Sequence, residues 1–301
     1  MEFITSLIIK YLNLIERTYL LAFNINHFYF ITSISFLAII IDLIYSGWGK
    51  SSLKRLLKFE KSTQVDLISW IIENLNIYNT FSLIFSFGMC YYLVGLVQNY
   101  FNFNLEIKNA ELQFIVIFII SDFKGWISHY CFHISKNLWQ LHSFHHSATN
   151  FNILTRQRGH FLESEIKRFF DVIPFIIFGA PISTYLFIKI FTELHQMLVH
   201  SSSNSNWGLI GKYILVSPAA HRVHHSIDPK HFNKNFGVTF IFWDRLFKTY
   251  HKKEKNIILG IPENPFNKGY VKDVLHCQWL FIRSIFNSLK NIYKFNNTNK
   301  T

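Results

Sequence analysis

The sequence is poor in cysteine and in charged residues. Its 301 residues include three cysteines, and only 16% are Asp, Glu, Lys or Arg, whereas soluble domains usually contain about 25%. Cys90, Cys131 and Cys277 are far apart and odd in number, which excludes a disulfide framework or a zinc-finger pattern. The composition therefore favours a lipid environment, with the thiols buried in a reducing compartment.

Several cofactor signatures are also absent. The sequence contains no GxGxxG dinucleotide fingerprint, no haem-binding HPGG or CxxCH motif and no HExxH zinc motif. Any electrons that the protein uses must therefore come from a separate donor. A hydrolytic zinc site is disfavoured, because such sites normally combine three protein ligands with one open position.

The charge that is present is strongly basic, with a formal net charge of +12. This balance raises the question of nucleic-acid binding. The lysines, however, are concentrated in 49–61 and after Lys248, next to apolar runs. This arrangement suits a cytoplasmic membrane face with anionic lipids. Nucleic acid is not an expected partner, because no continuous basic stripe is present.

Long apolar runs predict an all-α, integral-membrane bundle with about three spans. The runs 27–45, 80–98 and 112–134 each have about the length that crosses a bilayer. Residues 1–24 are interrupted by charges and lack a signal-peptide cleavage site, which predicts an interfacial helix or a poor membrane span. Residues 67–77 are expected to form an amphipathic approach helix.

A fourth apolar run, 171–199, is broken by Pro174, Gly179 and Pro181. A single span here would place the histidines before it and after it on opposite faces of the membrane. A helical hairpin that dips into the membrane and returns keeps them on one face, and its turn would tolerate proline and glycine. We therefore predict a hairpin in addition to the three spans.

Histidines are concentrated in three clusters. They are His129 and His133, then His142, His145 and His146, then His221, His224 and His225. On a helix, positions i, i+3 and i+4 share a face, so each cluster is expected to aim its imidazoles at one point. One HxxHH window can arise by chance, but two of them that follow an HxxxH window are a far more specific sign of a metal site. Eight imidazoles exceed the needs of one ion, which predicts two metals, and imidazole suits iron, zinc or copper.

Seven further histidines lie outside the three clusters. His195 and His200 lie in the apolar run 171–199, where a polar side chain is costly without a partner. We count His200 among the expected metal ligands. His195 and His160 are candidates either for a metal or for support of a ligand, whereas His231 and His251 are interpreted as ordinary surface or interface residues.

Three carboxylates are candidates to orient the ligands. Asp122, Glu163 and Asp244 lie close in sequence to the boxes, and a ligating histidine usually donates its second ring N–H to such a group. Two simpler roles compete with this interpretation. Asp122 would equally cap a helix, and Asp244 would equally pair with Arg245.

At these residues the chain resembles the fatty acid hydroxylase superfamily, in its sterol desaturase-like branch. The resemblance covers 121–250. It rests on Asp-Phe ahead of the HxxxH box, LWQLHSFHHS at 138–147, RGHFLE at 158–163, SPAAHRVHHS at 217–226, NFG at 235–237 and WDRLF at 243–247. Tyr130, Phe161 and Lys248 replace the arginine, proline and glycine of the family pattern. None of these departures removes a box histidine.

The resemblance implies membrane helices with a cytosol-facing helical cap, in which the box histidines hold two iron ions, with zinc as an alternative occupant. It implies O₂-dependent hydroxylation or desaturation of a sterol, a fatty acyl chain or an ether lipid. The site would face the cytoplasm, at a bacterial inner membrane or the endoplasmic reticulum. A ferredoxin or a cytochrome b5-like protein with its reductase would supply electrons. The chain divides into N-terminal membrane helices in 1–110, a hydroxylase-like catalytic domain in 111–251 and a basic tail in 252–301.

Other functions stay open at this point. A membrane metal-binding protein or zinc transporter without redox chemistry would also collect histidines, although transporters place their ligands near the bilayer midplane. A non-catalytic relative would normally have lost a ligand. A redox metal that uses O₂ is favoured because ordinary acid–base groups cannot cleave an unactivated C–H bond.

Overall fold

The computed structural model describes residues 25–75, 100, 105, 107–178, 180–266 and 268–298. Regular structure in these ranges is helical, and the only β contacts among them are two isolated bridges, Leu215–Phe240 and Ser226–Leu259. The all-α prediction is confirmed for the described part of the chain. The predicted interfacial helix in 1–24 and the predicted span in 80–98 lie outside the described residues.

The helices are numbered in chain order. They are α1 (Ile25–Ser46), α2 (Ser52–Lys58), α3 (Lys61–Asn74), α4 (Ala110–Ile134), α5 (Lys136–His146), α6 (Phe161–Ile177), α7 (Ile182–Val199), α8 (Gly208–Tyr213), α9 (Pro218–His224), α10 (Phe242–Leu246) and α11 (Tyr270–Thr298). Short 3₁₀ helices occupy Trp48–Lys50, Ile153–Gln157 and Pro229–His231.

Helix α1 contains the one described segment, Phe28–Ser46, that is long and apolar enough to cross a membrane. One side of α1 packs through Ile34 and Ala38 against Met197 of α7. Its other side exposes large apolar side chains such as Phe36 and Ile44. A bilayer would cover such a surface, whereas water would not favour it. The run 112–134 forms most of α4, and its crossing of a membrane stays a prediction.

Helices α6 and α7 form a hairpin. Lys189 of α7 pairs with Asp171 of α6 at 2.8 Å, so the second arm runs back along the first. Phe175 and Ile188 of the two arms pack together against Ile117 of α4. The first arm begins at Phe161, earlier than predicted, because its charged first turns are held by ion pairs along the helix. The hairpin returns the chain to the histidine-rich end of α4.

Two short helices carry the HxxHH boxes. Helix α5 begins after Ser135, whose side chain accepts the N–H of Leu138 at 3.4 Å. Helix α9 begins after Ser217, whose side chain accepts the N–H of Ala220 at 3.3 Å, and Pro218 occupies its first turn. These caps satisfy backbone donors that a helix start leaves unpaired. The histidine side chains of both boxes are buried.

The segment predicted as a basic tail contains α11, a helix of 29 residues. Val274 and Cys277 lie three residues apart and pack against Val65 of α3 and Phe144 of α5. This spacing places them on one helix face, which explains why the segment folds onto the domain. Cys277 is a buried free thiol and Cys131 is a half-buried one. Cys90 lies outside the described residues.

Candidate metal centre

The structure gathers the box histidines and His200 into two buried groups. The first histidine group has ligand nitrogens within 4.8 Å of one another and comprises His129, His133, His142, His146 and His224. The second histidine group meets the same distance limit and comprises His145, His200, His221 and His225. Their members lie on α4, α5 and α9 and at the residues directly after α7 and α9, so tertiary packing of these helices creates both groups.

Each HxxHH box is divided between the two groups. On α5, His142 and His146 belong to the first group, whereas His145 belongs to the second. In the third box, His221 and His225 (i and i+4) belong to the second group, whereas His224 belongs to the first. The expectation that each cluster aims at one point is therefore wrong for the two HxxHH boxes, whereas His129 and His133 both belong to the first group. Residues i and i+4 stay together because they share a helix face, and the intervening residue is rotated away from them.

Hydrogen bonds fix the orientation of several rings. The Nδ1 atoms of His129, His145 and His224 donate to backbone carbonyls at 2.8, 3.1 and 2.7 Å, and the acceptors are Phe236, Arg158 and Lys234. His200 donates in the same way to Gln196 at 2.7 Å. A carbonyl can only accept, so each Nδ1 carries its proton. The Nε2 atom of each neutral ring is then left with a lone pair.

These lone pairs face one another, which tests whether the residues suit a metal. The Nε2 lone pairs of His145 and His200 face each other at 3.2 Å. The Nε2 atom of His221, whose Nδ1 makes no hydrogen bond that would fix the tautomer, lies 2.8 Å from that of His200. Two imidazole nitrogens that share one metal at about 2.1 Å lie roughly 3.0–3.4 Å apart. Facing lone pairs repel each other unless a cation lies between them. The donor set and its spacing therefore fit metal ions.

Buried nitrogens without partners support the same conclusion. Within the described residues, the Nε2 atoms of His129, His133 and His224 and both ring nitrogens of His225 are buried and make no hydrogen bond. Polar atoms in this state are costly, and native structures seldom tolerate several in one place. A bound metal would satisfy them.

The electrostatic environment keeps the rings neutral. Burial lowers the pKa of His200 and His224 to about 3. For His145, His146, His221 and His225, burial lowers the pKa well below its usual value, and neighbouring imidazoles lower it further. Metal binding needs the neutral form of imidazole. The rings are therefore unprotonated near neutral pH and available to bind metal cations.

The two groups are immediate neighbours. The rings of His146 and His225 belong to different groups, yet they stack with centroids 4.0 Å apart and planes inclined by 12°. Imidazole rings thus form a shared wall between the groups. This arrangement can hold two ions side by side.

Of the three candidate carboxylates, Glu163 contacts a histidine. Its Oε1 atom accepts the Nδ1–H of His142 at 2.7 Å. Asp122 instead accepts the backbone N–H of Thr239 and the indole N–H of Trp243, at 2.8 and 3.0 Å. Asp122 therefore does not contact a ligand histidine as expected, because N–H groups from the segment after the third box occupy its carboxylate oxygens.

Asp244 also has a different role from the expected one. It accepts the backbone N–H groups of Phe236 and Gly237, both at 2.8 Å, and the indole N–H of Trp126 at 3.0 Å. Asp244 therefore holds the NFG loop in place. That loop supplies the Phe236 carbonyl that orients His129, so the carboxylate acts on the site through the backbone.

His195 and His160 lie outside both histidine groups. The Nε2 atom of His195 donates to the carbonyl of Val216 at 3.0 Å. The Nδ1 atom of His160 accepts the backbone N–H of Leu162 at 3.1 Å. Its lone pair is therefore occupied, and the Nε2 atom of the neutral ring carries the proton, so neither nitrogen is free to bind a metal. The backbone carbonyls that orient the rings were not found from sequence, because any residue can supply a carbonyl.

A cavity of about 450 Å³ adjoins both groups. Its lining includes His129 and His142 of the first group and His145 and His221 of the second. Away from these rings the lining is mixed, with the apolar residues Phe118, Phe175 and Ile188 and the charged residues Lys124, Asp171 and Lys189. The cavity offers space for a molecule with both apolar and polar parts beside the rings.

Comparison with known proteins supports the resemblance found in the motifs. The fatty acid hydroxylase family model matches residues 114–249, which contain both histidine groups. Alkylglycerol monooxygenase of Caenorhabditis elegans is 31% identical over 175 residues, which cover 57% of this chain and 34% of that protein. Ornithine lipid hydroxylase OlsE of Rhizobium tropici is 30% identical over 139 residues, which cover 46% of this chain and 42% of that protein.

A more distant relative is the alternative squalene epoxidase of Phaeodactylum tricornutum, which is 27% identical over 168 residues, 51% of this chain and 44% of that protein. The chain spans less than half the length of these relatives. No solved structure matches it significantly. Through residues 114–249, the chain is therefore similar to the fatty acid hydroxylase superfamily.

Proposed function

We propose that this chain is a membrane-bound, O₂-dependent di-iron oxidoreductase that hydroxylates or desaturates a lipid. The observation that carries the proposal is the contact between His145 and His200, whose Nε2 lone pairs face each other at 3.2 Å. Such a pair requires a cation, and two adjacent groups provide for two of them. The relatives support lipid oxidation, since one is named a monooxygenase of alkylglycerols and another a hydroxylase of ornithine lipids.

The nine histidines of the two groups are the proposed ligands. The first group would hold one iron and the second group the other. A di-iron pair supplies the redox chemistry with O₂ that cleaves an unactivated C–H bond. The chain's own contribution is to keep the rings neutral and oriented, through the Nδ1 hydrogen bonds to Glu163 and to backbone carbonyls.

The cavity supports an amphipathic lipid as the substrate. Its apolar wall, with Phe118, Phe175 and Ile188, suits a hydrocarbon chain or ring system. Lys124 and Lys189 both pair with the carboxylate of Asp171, and these three side chains form a polar part of the lining that suits a head group. A lipid divided into an apolar and a polar part could therefore occupy the cavity beside His129 and His142. Fatty acyl, sterol and ether lipids all have this division.

Electrons would arrive from a separate ferredoxin or cytochrome b5-like protein with its reductase. The surface beside the third box carries the exposed lysines Lys212, Lys252, Lys253 and Lys255. A basic surface favours an acidic partner. The backbone carbonyl of Lys234, in the loop after the third box, accepts from His224 of the first group. The lysines also favour an active site that faces the cytoplasm, in a bacterial inner membrane or the endoplasmic reticulum.

Anaerobic purification in detergent, metal analysis and Mössbauer spectroscopy test this proposal. We expect two iron ions per chain with nitrogen ligation. The reduced protein should then be given membrane lipid extract and ¹⁸O₂, followed by mass spectrometry. Hydroxylation would add ¹⁸O to a lipid, desaturation would remove two hydrogens, and a His145→Ala variant should form neither product.

Zinc without iron, together with no lipid product, would overturn the oxidoreductase assignment. That result would favour the alternative, a membrane metal-binding protein or zinc transporter without redox chemistry.

A further inference from the structure

A third set of metal-binding side chains lies outside the two histidine groups. It consists of His231, His251 and Glu254, whose ligand atoms lie within 4.8 Å of one another. The sequence interpretation treated both histidines as ordinary surface or interface residues. His231 is instead buried, with 2% of its surface exposed. A polar ring in that position needs a partner for each nitrogen.

The distances in this cluster do not suit hydrogen bonds. The Nε2 atom of His231 lies 3.3 Å from Oε1 of Glu254 but makes no hydrogen bond. The Nε2 atom of His251 lies 3.6 Å from the same oxygen. Good N–H···O hydrogen bonds measure about 2.7–3.2 Å. Ligands that share a tetrahedral metal at about 2.0–2.1 Å lie roughly 3.3–3.4 Å apart.

The neighbours of the cluster orient its donor atoms inward. His251 donates its Nδ1–H to the carbonyl of Lys252 at 2.9 Å, which leaves a lone pair on Nε2. The Nδ1 atom of His231 is 2.8 Å from the hydroxyl of Ser226. Lys230 binds the other carboxylate oxygen of Glu254 at 2.8 Å, so Oε1 is available to the cluster. Each ligand is thus held by a second contact, as in many metal sites.

We infer that His231, His251 and Glu254 bind a zinc ion. Two imidazoles, one carboxylate and one open position form a donor set that Zn²⁺ commonly takes. This ion would be separate from the proposed iron pair. It would fix the segment around His251 to the loop that follows the third box. That loop begins at His225 of the second histidine group, whose carbonyl also accepts the N–H of Gly260 at 3.2 Å.

The inference can be tested by counting metals in the full chain purified in detergent. The protein would be dialysed against micromolar ZnSO₄ and then against metal-free buffer, and zinc and iron would be measured by mass spectrometry. We expect the wild type to retain one zinc ion per chain more than either His251→Ala or Glu254→Gln, with iron unchanged. Lys230→Gln is the matched control. It removes the ion pair between Lys230 and Glu254 but leaves the three proposed ligands in place.

Thermal unfolding provides a second readout. Added Zn²⁺ should raise the Tm of the wild type and of Lys230→Gln, but not the Tm of His251→Ala or Glu254→Gln. A His145→Ala variant separates this inference from the proposed function, because it should lose metal from the second histidine group and keep the additional zinc. Equal zinc content in the wild type, His251→Ala and Glu254→Gln would overturn the inference, whatever the iron content.

Discussion

His142 donates its Nδ1–H to Oε1 of Glu163 across 2.7 Å, and both side chains are almost fully buried. Burial alone would raise the pKa of Glu163, but the neighbouring Lys167 and His142 lower it to about 2. The acceptor is therefore a full anion. An anionic acceptor makes the opposite nitrogen of an imidazole a stronger donor to a metal. Glu163 thus tunes the first histidine group although it lies outside it.

Glu163→Gln should weaken metal binding at the first group while it preserves the fold. Glutamine keeps the shape and an acceptor oxygen but lacks the negative charge. Loss of such a supporting partner typically costs about 10–100-fold in metal affinity, and we expect a loss in this range in competition titrations with a chelator. Glu165→Gln on the same helix is the control, because Glu165 pairs with Arg168 at 3.8 Å. Equal affinities in the two variants would contradict the assigned role of Glu163.

His200 and His195 form a matched pair on the returning arm of the hairpin. His200 belongs to the second histidine group, whereas His195 donates to the carbonyl of Val216. His200→Ala should weaken binding of the second metal by more than about 100-fold, because a ligand matters more than its supporting contacts. His195→Ala should retain both metals and lose about 1 kcal/mol of stability with its hydrogen bond. Metal analysis and thermal unfolding of the two variants would separate these effects, and loss of metal from His195→Ala alone would reverse the assignment.

Box spacing made the eight histidines predictable, but it did not predict how they divide. Helix geometry turns His145 away from His142 and His146, and the positions of α4, α7 and α9 decide which rings each of them meets. His200 belongs to no box and was expected only because a buried polar side chain needs a partner. The apolar runs 27–45 and 112–134 predicted α1 and α4, whereas the first arm of the hairpin begins ten residues before its apolar run and contains Pro174 inside the helix.

The carboxylates show the limit of the sequence argument more clearly. Glu163 and Asp244 both lie near boxes, and nothing local distinguishes a carboxylate that binds an imidazole from one that binds a loop. Asp244 meets the N–H groups of Phe236 and Gly237 only because the chain turns back on itself there. The turn that brings these residues together has no signal in a single sequence.

A buried ion pair connects α3 to the site. Arg158 pairs with Asp66, and the two side chains are 1% and 0% exposed. Arg158→Met would leave Asp66 buried without a counter-charge, which typically costs about 3–5 kcal/mol. The double variant with Asp66→Asn should recover part of this loss. Arg156→Met is the control, since its pair with Glu193 is partly exposed and should contribute less than about 1 kcal/mol.

Thermal unfolding in detergent would measure these differences. Because the carbonyl of Arg158 accepts from His145, the single variant should also lose metal from the second histidine group. A single variant as stable as the Arg156→Met control would show that the pair is not holding α3 to the domain.

Gly237 has no room for a side chain. A Cβ atom there would lie 2.7 Å from the carbonyl oxygen of Phe240, 2.7 Å from Val216 and 2.9 Å from the carboxylate of Asp244. The backbone must therefore move, at a typical cost of about 1–3 kcal/mol. The movement would displace the neighbouring carbonyl of Phe236 from the Nδ1–H of His129, which it now accepts at 2.8 Å.

Gly237→Ala should therefore lower both the Tm and the metal content of the first histidine group, whereas the second group should keep its metal. Gly49→Ala is the matched control, because a Cβ atom at Gly49 would meet nothing within 4 Å. Metal analysis and thermal unfolding of both variants would check this. If Gly237→Ala lowered the Tm but left the first metal in place, the Phe236 carbonyl would not be needed to orient His129. The hydrogen bonds from the loop to Asp244 would then serve stability alone.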